Sequence, residues 1–400
     1  MSLIDAIQPG MLEKSASCYV VRSRDCGLEN VIRKPMNPFE SGSRNVLSLG
    51  RVGVGFLLVL FFSGTLLGQG LRQQAEQKFG GDSRIWFTEA GDTGLGKWDA
   101  VESKQETGII LEWNSKSVVL VRPNAERETS IPGDLVSRIE PNWTDPSGSD
   151  FHKLFTERDF TAAIKLGSET IKKPGIPVWQ QRIILAEMIE SMMALGKPRL
   201  ACQLFVSLAK ENSPQLLLST IPVSWGDEKL EGEAVAIQPK ASEWLLSDNE
   251  AIQLLGASWL LSSTQRPLAI ETLTSLSKSK TPWVASYARC QVWRIAPPAE
   301  IRSTLLPKWI AERDRIPFAM QAGPSTLLAH RMAQASEPML AASEWLRIAT
   351  LHSDRYHFAN RAWPKAIESL DSLGKKEDVA RARKLHEQFV GNKKPQDSKK

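Results

Sequence analysis

His352, Asp354 and His357, in the stretch LHSDRYHFANR, are the one place in this chain where metal-ligating side chain types crowd together. On a helix, histidines five positions apart point along diverging faces, whereas a shared metal wants them converging. The group therefore reads as a polar turn between helices, and no metal is expected. GDTGLGKWD, residues 91–99, is glycine-rich and carries a lysine. Its spacing is not that of a phosphate loop, and a strand rather than a helix follows it, so no helix N-terminus would face a phosphate. It reads as a surface loop. Asp227 and Glu228 are adjacent carboxylates without a neighbour that would raise the pKa of either, which offers no general acid. The chain has no Gly-x-Ser-x-Gly elbow, His-Glu-x-x-His helix, Walker-type loop, Cys-x-x-Cys pair or dinucleotide Gly-x-Gly-x-x-Gly. No catalytic residue and no cofactor is expected on these grounds.

Cys202 and Cys290 both fall in helical patterns, where a buried free thiol is the commoner state. A disulfide between them is the alternative, closing a long loop with about 4 kcal/mol of stabilisation in the chain-entropy model. Cys18 and Cys26 stand near the N-terminus. Thirteen tryptophans against three tyrosines are spread from Trp86 to Trp363, a distribution that reads first as packing between helices. Trp179, Trp225 and Trp244 are the candidates for lining a partner-binding groove.

The elements that would position such residues begin with RVGVGFLLVLFFSGTLLGQG, residues 51–70. No charged side chain interrupts Val52 to Gly70, and Arg44 and Arg51 precede it. The length sits at the lower limit for a membrane span of about 20 residues. The small-x-small ending Gly68-Gln69-Gly70 suits a secretory signal cut after Gly70. Retention as an N-terminal anchor is the alternative, with the arginines inside and the bulk of the chain outside. Met36 would open a signal of ordinary length, so residues 1–35 read as a disordered upstream extension and 36–70 as signal peptide or anchor. Either way residues 71–400 are expected outside the cytoplasm, in the periplasm or cell envelope, with membrane contact only through 52–70 if these are uncleaved.

Residues 84–143 have strand character. Ile109, Leu111 and Trp113 alternate with Ile110 and Glu112, and Asn114-Ser115-Lys116-Ser117 supplies a turn before Val118–Val121. A Pro132-Gly133-Asp134 turn precedes a last strand through Val136 and Ile139. Five short strands in some sixty residues suit a small closed barrel. The succession KWDAVESKQETGIILEWNSKSVVLVRPNAERETSIPGDLVSRIEP resembles the SH3-like barrels of the SLA1 homology domain 1 type at Trp98, Ala100, Gly108, Val118, Leu120, Ile131, Pro132 and Leu135. The resemblance implies a fold and transfers no binding residue.

PNWTDPSGSD, residues 141–150, has the composition of a linker, and from 150 to 390 strands give way to helical periodicity. Phe151 to Ile171 suits two short amphipathic helices broken near Arg158-Asp159. Helix pairs follow, with Leu195-Gly196 and Leu373-Gly374 at two of their turns. The Leu-Gly turn, Ala201 and Phe205 resemble tetratricopeptide repeats, which implies a helical solenoid with a concave binding surface. An irregular helical bundle is the alternative. Residues 214–243, rich in proline and glycine, read as a loop inserted on one face. Residues 391–400 read as a disordered tail.

The formal net charge of +5 is small. In the barrel, Lys97, Lys104, Lys116 and Arg122 are balanced by Glu102, Glu106, Glu112 and Glu126, so no nucleic-acid partner is expected. These features together predict a multidomain protein, a small all-β SH3-like barrel plus an all-α TPR-like solenoid, acting as a non-enzymatic scaffold for envelope proteins or peptides. The competing expectation is an enzyme of dispersed residues, such as a carbohydrate-active helical domain. It would require two carboxylates about 5–10 Å apart in a tryptophan-lined cleft.

Overall fold

A computed structural model describes residues 64–88, 103–125, 127–226, 231–297, 301 and 305–391. The expectations for residues 1–63, for the 91–99 loop with Trp98 and Ala100, for Asp227 and Glu228, for Cys18 and Cys26, and for the tail from 392 onward fall outside these residues.

Helix α1 (Gly64–Phe79) leads into five antiparallel strands, β1 (Ser83–Thr88), β2 (Ser103–Trp113), β3 (Ser117–Val121), β4 (Glu128–Pro132) and β5 (Val136–Glu140). Their order in the sheet is β4-β3-β2-β1-β5, with a 3₁₀ turn at Gly133–Leu135 joining β4 to β5. Strand β2 pairs with β1 through Ser103–Gly108 and with β3 through Ile109–Trp113, so it bends from one half of the sheet into the other. Gly108 marks the hand-over. A Cβ there would lie 2.7 Å from the Val121 carbonyl oxygen, so no side chain fits.

The hairpin turn falls where the sequence puts it. The Asn114 side-chain oxygen accepts from the backbone of Lys116 (2.8 Å) and Ser117 (3.1 Å). The alternation in β2 is not the expected one. A bulge between Ile110 and Glu112 adds one residue, which returns Trp113 to the face of Ile110, Val118 and Leu120 instead of that of Ile109 and Leu111. Ile109, Leu111 and Val121 face the other way, where Leu71, Ala75 and Phe79 of α1 cover them. The four- and eight-residue steps along α1 put those three side chains on one stripe.

Residues 141–150 are not a free linker. Asp145 caps α2 (Pro146–Thr156), accepting from the Ser147 N–H at 2.8 Å. Gln180 donates to the Asn142 carbonyl (2.9 Å) and accepts from Thr144 Oγ1 (2.9 Å). Arg182 donates to the Trp113 carbonyl (2.9 Å), and the Ser115 N–H to that of Asn212 (3.0 Å). These bonds fix the sheet against the helices, and the two share one apolar cluster.

The helices that follow are α3 (Phe160–Thr170), α4 (Val178–Ala194), α5 (Pro198–Lys210), the short α6 (Gln215–Leu218), α7 (Glu231–Trp244), α8 (Glu250–Leu260), α9 (Arg266–Leu276), α10 (Pro282–Val292), α11 (Leu306–Asp314), α12 (Ala322–Gln334), α13 (Pro338–Leu351), α14 (Tyr356–Ser372) and α15 (Lys376–Gly391). Four of the inter-helix turns share one backbone form, with a left-handed residue at Arg158, Gly196, Ser336 and Gly374. In each, the next N–H reaches back to a carbonyl five residues earlier: Asp159 to Leu154, Lys197 to Met192, Glu337 to Met332 and Lys375 to Leu370. The break expected near Arg158-Asp159 is one of these turns.

The series closes on itself instead of remaining an open superhelix. Phe160 of α3 meets Tyr356 at a ring separation of 5.2 Å, and the Arg158 guanidinium lies over Tyr356 and Phe389 while donating to the Phe389 carbonyl. Glu190 of α4 forms ion pairs with Arg355 (2.6 Å) and His357 (2.9 Å) at the start of α14. The first helices thereby hold the last.

The expected surface loop at 214–243 is also corrected. Residues 231–243 belong to α7, and Ile221–Trp225 is a buried irregular segment that threads between α5, α8, α10 and α12. A buried segment outside helix and sheet needs side chains to satisfy its backbone. Here the Ser224 N–H donates to Ser258 Oγ (3.0 Å), and the Ser224 carbonyl accepts from Gln291 (3.1 Å) and Arg294 (3.3 Å). The Pro222 carbonyl accepts from the indole N–H of Trp259 (3.0 Å). Trp225 packs edge-on to Tyr287 at 4.9 Å and lies so close to Gly323 that a Cβ there would fall within its indole.

Candidate functional site

A cavity of about 200 Å³ opens where the central segment leaves the core at Gly226. The end of α8 contributes Leu261 and Ser262, the start of α9 Arg266, the turn after α10 Arg294 and Ile295, and α12 Leu327, His330, Arg331 and Gln334. Among the described residues lining it there are three guanidinium groups and an imidazole, and no carboxylate.

Neutral oxygens orient two of the guanidinium groups. Arg331 is buried, and its Nε and Nη2 donate to the Trp293 carbonyl at 2.9 and 2.6 Å, Nη2 also to that of Ala296 at 2.6 Å. Its Nη1 donates to Gln334 at 2.6 Å. Arg294 Nη1 donates to the Ser258 carbonyl (2.7 Å) and to Gln291 (2.9 Å). Arg266 is exposed at the first turn of α9, at the positive end of that helix's dipole.

The residues singled out from sequence lie elsewhere. Trp179, Trp225 and Trp244 are 2%, 3% and 9% exposed, so all three are core side chains and none presents a ring to a partner. Large aromatics satisfy the helix interfaces themselves. His352, Asp354 and His357 diverge, as their spacing predicts. His352 stacks on Phe318 at 4.6 Å, His357 pairs with Glu190, and Asp354 is exposed. Burial, reinforced by Arg347, Arg355 and Arg313, pushes the His352 imidazole down to about 3, so it is neutral in the fold. Among the described residues no group of three potential ligands could hold a metal ion. Cys202 and Cys290 are both free and buried, and burial pushes the Cys290 thiol well up.

Two glutamates one turn apart on α4 have opposite electrostatics. Burial pushes Glu187 up against the counteracting hydrogen bond from His152 (2.8 Å). Burial also raises Glu190, but Arg355 and His357 outweigh it and hold the carboxyl at about 2. Neither is among the described residues that line the cavity.

Sequence reasoning missed Arg266, Arg294, His330 and Arg331, which are spread over 66 positions of the chain. The available sign was Arg294 in QVWRI and Arg331 in AHRMA, cations set in apolar helical runs that must find acceptors when buried. Comparison of the chain with protein families, with curated proteins and with solved structures finds no match in any of the three.

Proposed function

We propose that this chain is a non-enzymatic binding scaffold of the cell envelope, an SH3-like barrel joined to TPR-like helix pairs, whose arginine-lined cavity receives part of a protein or peptide partner. The observation that carries the reading is that cavity, assembled from four separate segments around the exit of the buried central segment, with its arginines fixed by backbone carbonyls. A ligand site of this kind needs no reacting group, only a preorganised lining.

The strand order and the 3₁₀ turn before β5 support the SH3-like reading. The four recurrent turns support TPR-like pairing at both ends of the helical region, while α7 to α10 lack that turn and favour the irregular bundle there.

Export rests on the uncharged run at 52–70. No helix among the described residues is long and apolar enough to cross a membrane, and residues 52–63 lie outside them. Helix α1 runs unbroken through Gly68-Gln69-Gly70 and packs on the sheet from Leu71 onward. A peptidase reads an extended segment, so a continuous helix across the candidate cleavage point favours retention as an anchor over cleavage after Gly70. The test is affinity capture from envelope extracts with the wild-type chain and with Ser262→Trp, which blocks the cavity mouth. Specific partners that depend on an open mouth support the proposal, and recovery of nothing above a control chain refutes it.

A further inference from the structure

Independently of the proposed function, we infer that His152 and Glu187 form a proton-operated latch that holds α2 closed on α4, tight when the imidazole is charged and loosened when it is neutral. The pair joins the two helices across 35 positions of the chain, with His152 Nδ1 at 2.8 Å from one oxygen of the Glu187 carboxylate. The other oxygen, Oε2, is buried without a hydrogen-bond partner, so the imidazole is the group that compensates this side chain's charge. A buried carboxylate whose partner loses its charge disfavours the closed arrangement. The Glu187 side chain is 15% exposed and that of His152 41%, so protons from solvent reach the imidazole while the carboxylate stays inside. Histidine is the side chain whose charge ordinarily changes near neutrality.

What the latch controls follows from the place of α2, where the chain passes from the sheet into the helices. Phe151 is fully buried there in a cluster with Ala163, Ile184 and Met188. Trp143 lies over the first turn of α2 against Gly148, where a Cβ would stand 2.5 Å from the indole, and its ring is 6.2 Å from that of His152. Opening α2 therefore uncovers Phe151 and releases Trp143, while the bond from Arg182 to the Trp113 carbonyl keeps the sheet in place.

The other charged groups around the pair do not replace either partner. Glu140 at the end of β5 acts on His152 in the same sense as Glu187. Asp145 is held by Lys173 (3.0 Å), Glu190 of α4 by Arg355 and His357, and Arg158 lies over Tyr356 and Phe389. Asp150, Lys153 and Glu157 of α2 and Lys165 and Glu169 of α3 are exposed. The hydrogen bond to Glu187 raises the imidazole above its ordinary value against the opposing effect of burial, and burial raises Glu187. Both directions mean that the closed form binds protons more readily than the open one. The latch accordingly tightens as pH falls to about 6.5 and weakens as pH rises through the pKa of the folded imidazole.

Hydrogen exchange of the full chain, followed by mass spectrometry at about pH 6.5 and about pH 9 and corrected for the chemical exchange rate, reads the latch directly. Peptides from α2, normalised to those from α13, should be at least about threefold better protected at the lower pH, because the opening equilibrium follows the ratio of proton affinities of the closed and open forms. His152→Gln, at a half-exposed position that folding tolerates, should abolish the difference. By nuclear magnetic resonance His152 should titrate above the ordinary 6.5 in the wild type and lower in Glu187→Gln. Equal protection of α2 at both pH values, a pH difference that survives His152→Gln, or identical titration of His152 with and without the Glu187 carboxylate would each overturn the latch.

Discussion

Replacing Glu190 by glutamine should loosen the closure between the first and last helices of the helical region. Glu190 is 8% exposed and carries ion pairs at 2.6 Å to Arg355 and 2.9 Å to His357. Truncating one partner of a buried pair costs about 3–5 kcal/mol, because the other charge is left without compensation. Arg355 retains Ser219 Oγ (3.2 Å) and the carbonyls of Ser219 (3.0 Å) and Ala319 (3.3 Å), which places the expected loss at the low end, about 3 kcal/mol. The titration behaviour has the same sign. Arg355 and His357 outweigh burial and hold the Glu190 carboxyl well below its ordinary value, so the charged form is the one the fold stabilises. In a helical region of this size the loss corresponds to a melting point lower by roughly 6–12 °C. Urea and thermal unfolding of Glu190→Gln measure it. Glu190→Leu with Arg355→Met should recover much of the loss, since replacing both charges removes the uncompensated cation. A single variant within about 0.5 kcal/mol of wild type, below the usual range for such buried pairs, would refute the idea that this cluster closes the helical series.

Acid should destabilise the fold in two stages. The His352 imidazole is depressed to about 3 from 6.5, so the unfolded chain binds the extra proton first and stability falls as pH drops below about 6.5. Glu190, depressed to about 2, contributes stability that is complete above about 4.5 and lost as pH falls from there towards 2. Chemical denaturation from pH 8 to pH 3 should show both, and Glu190→Gln should flatten only the lower stage. Gly323→Ala should cost about 1–3 kcal/mol by forcing Trp225 off the helix, measured by the urea midpoint, with Trp225→Leu partly relieving it. Deleting Leu111 should remove the bulge and leave Trp113 two positions from Ile110, on the same core face, so the near-ultraviolet circular dichroism of the folded sheet should persist. In a Cys18→Ser, Cys26→Ser background, Cys202 and Cys290 should resist thiol reagents until the helical region unfolds.

Elements fixed by local chemistry are legible in the amino-acid sequence. Asn114 sets the β2–β3 turn through its own side chain, and the Arg158-Asp159 break sits in a turn whose bonds span only five residues. The abundance of tryptophan likewise reads correctly as packing, since Trp113, Trp259, Trp293 and Trp363 are all core residues. The buried central segment is not legible in this way. Prolines and a short length make 214–226 look like a surface loop. What buries it is a set of partners brought from Ser258, Trp259, Gln291 and Arg294 by the helical fold. The β2 bulge escapes for a related reason: alternation counts residues, and only pairing with β3 reveals that Leu111 is an extra one. The cavity depends on juxtaposing residues 226, 261–266, 294–295 and 327–334, a long-range property with no local pattern to announce it.

The compartment bears most directly on an envelope scaffold. Protease treatment of intact cells, followed by mass spectrometry of the surviving chain and its N-terminal peptide, tests it in one measurement. The account predicts that the chain sediments with membranes, retains residues 52–70, and loses the region beyond Leu71 to protease only when the enclosing envelope layer is opened. Recovery of the whole chain, protected and soluble in the cytoplasm after that layer is opened, would contradict it.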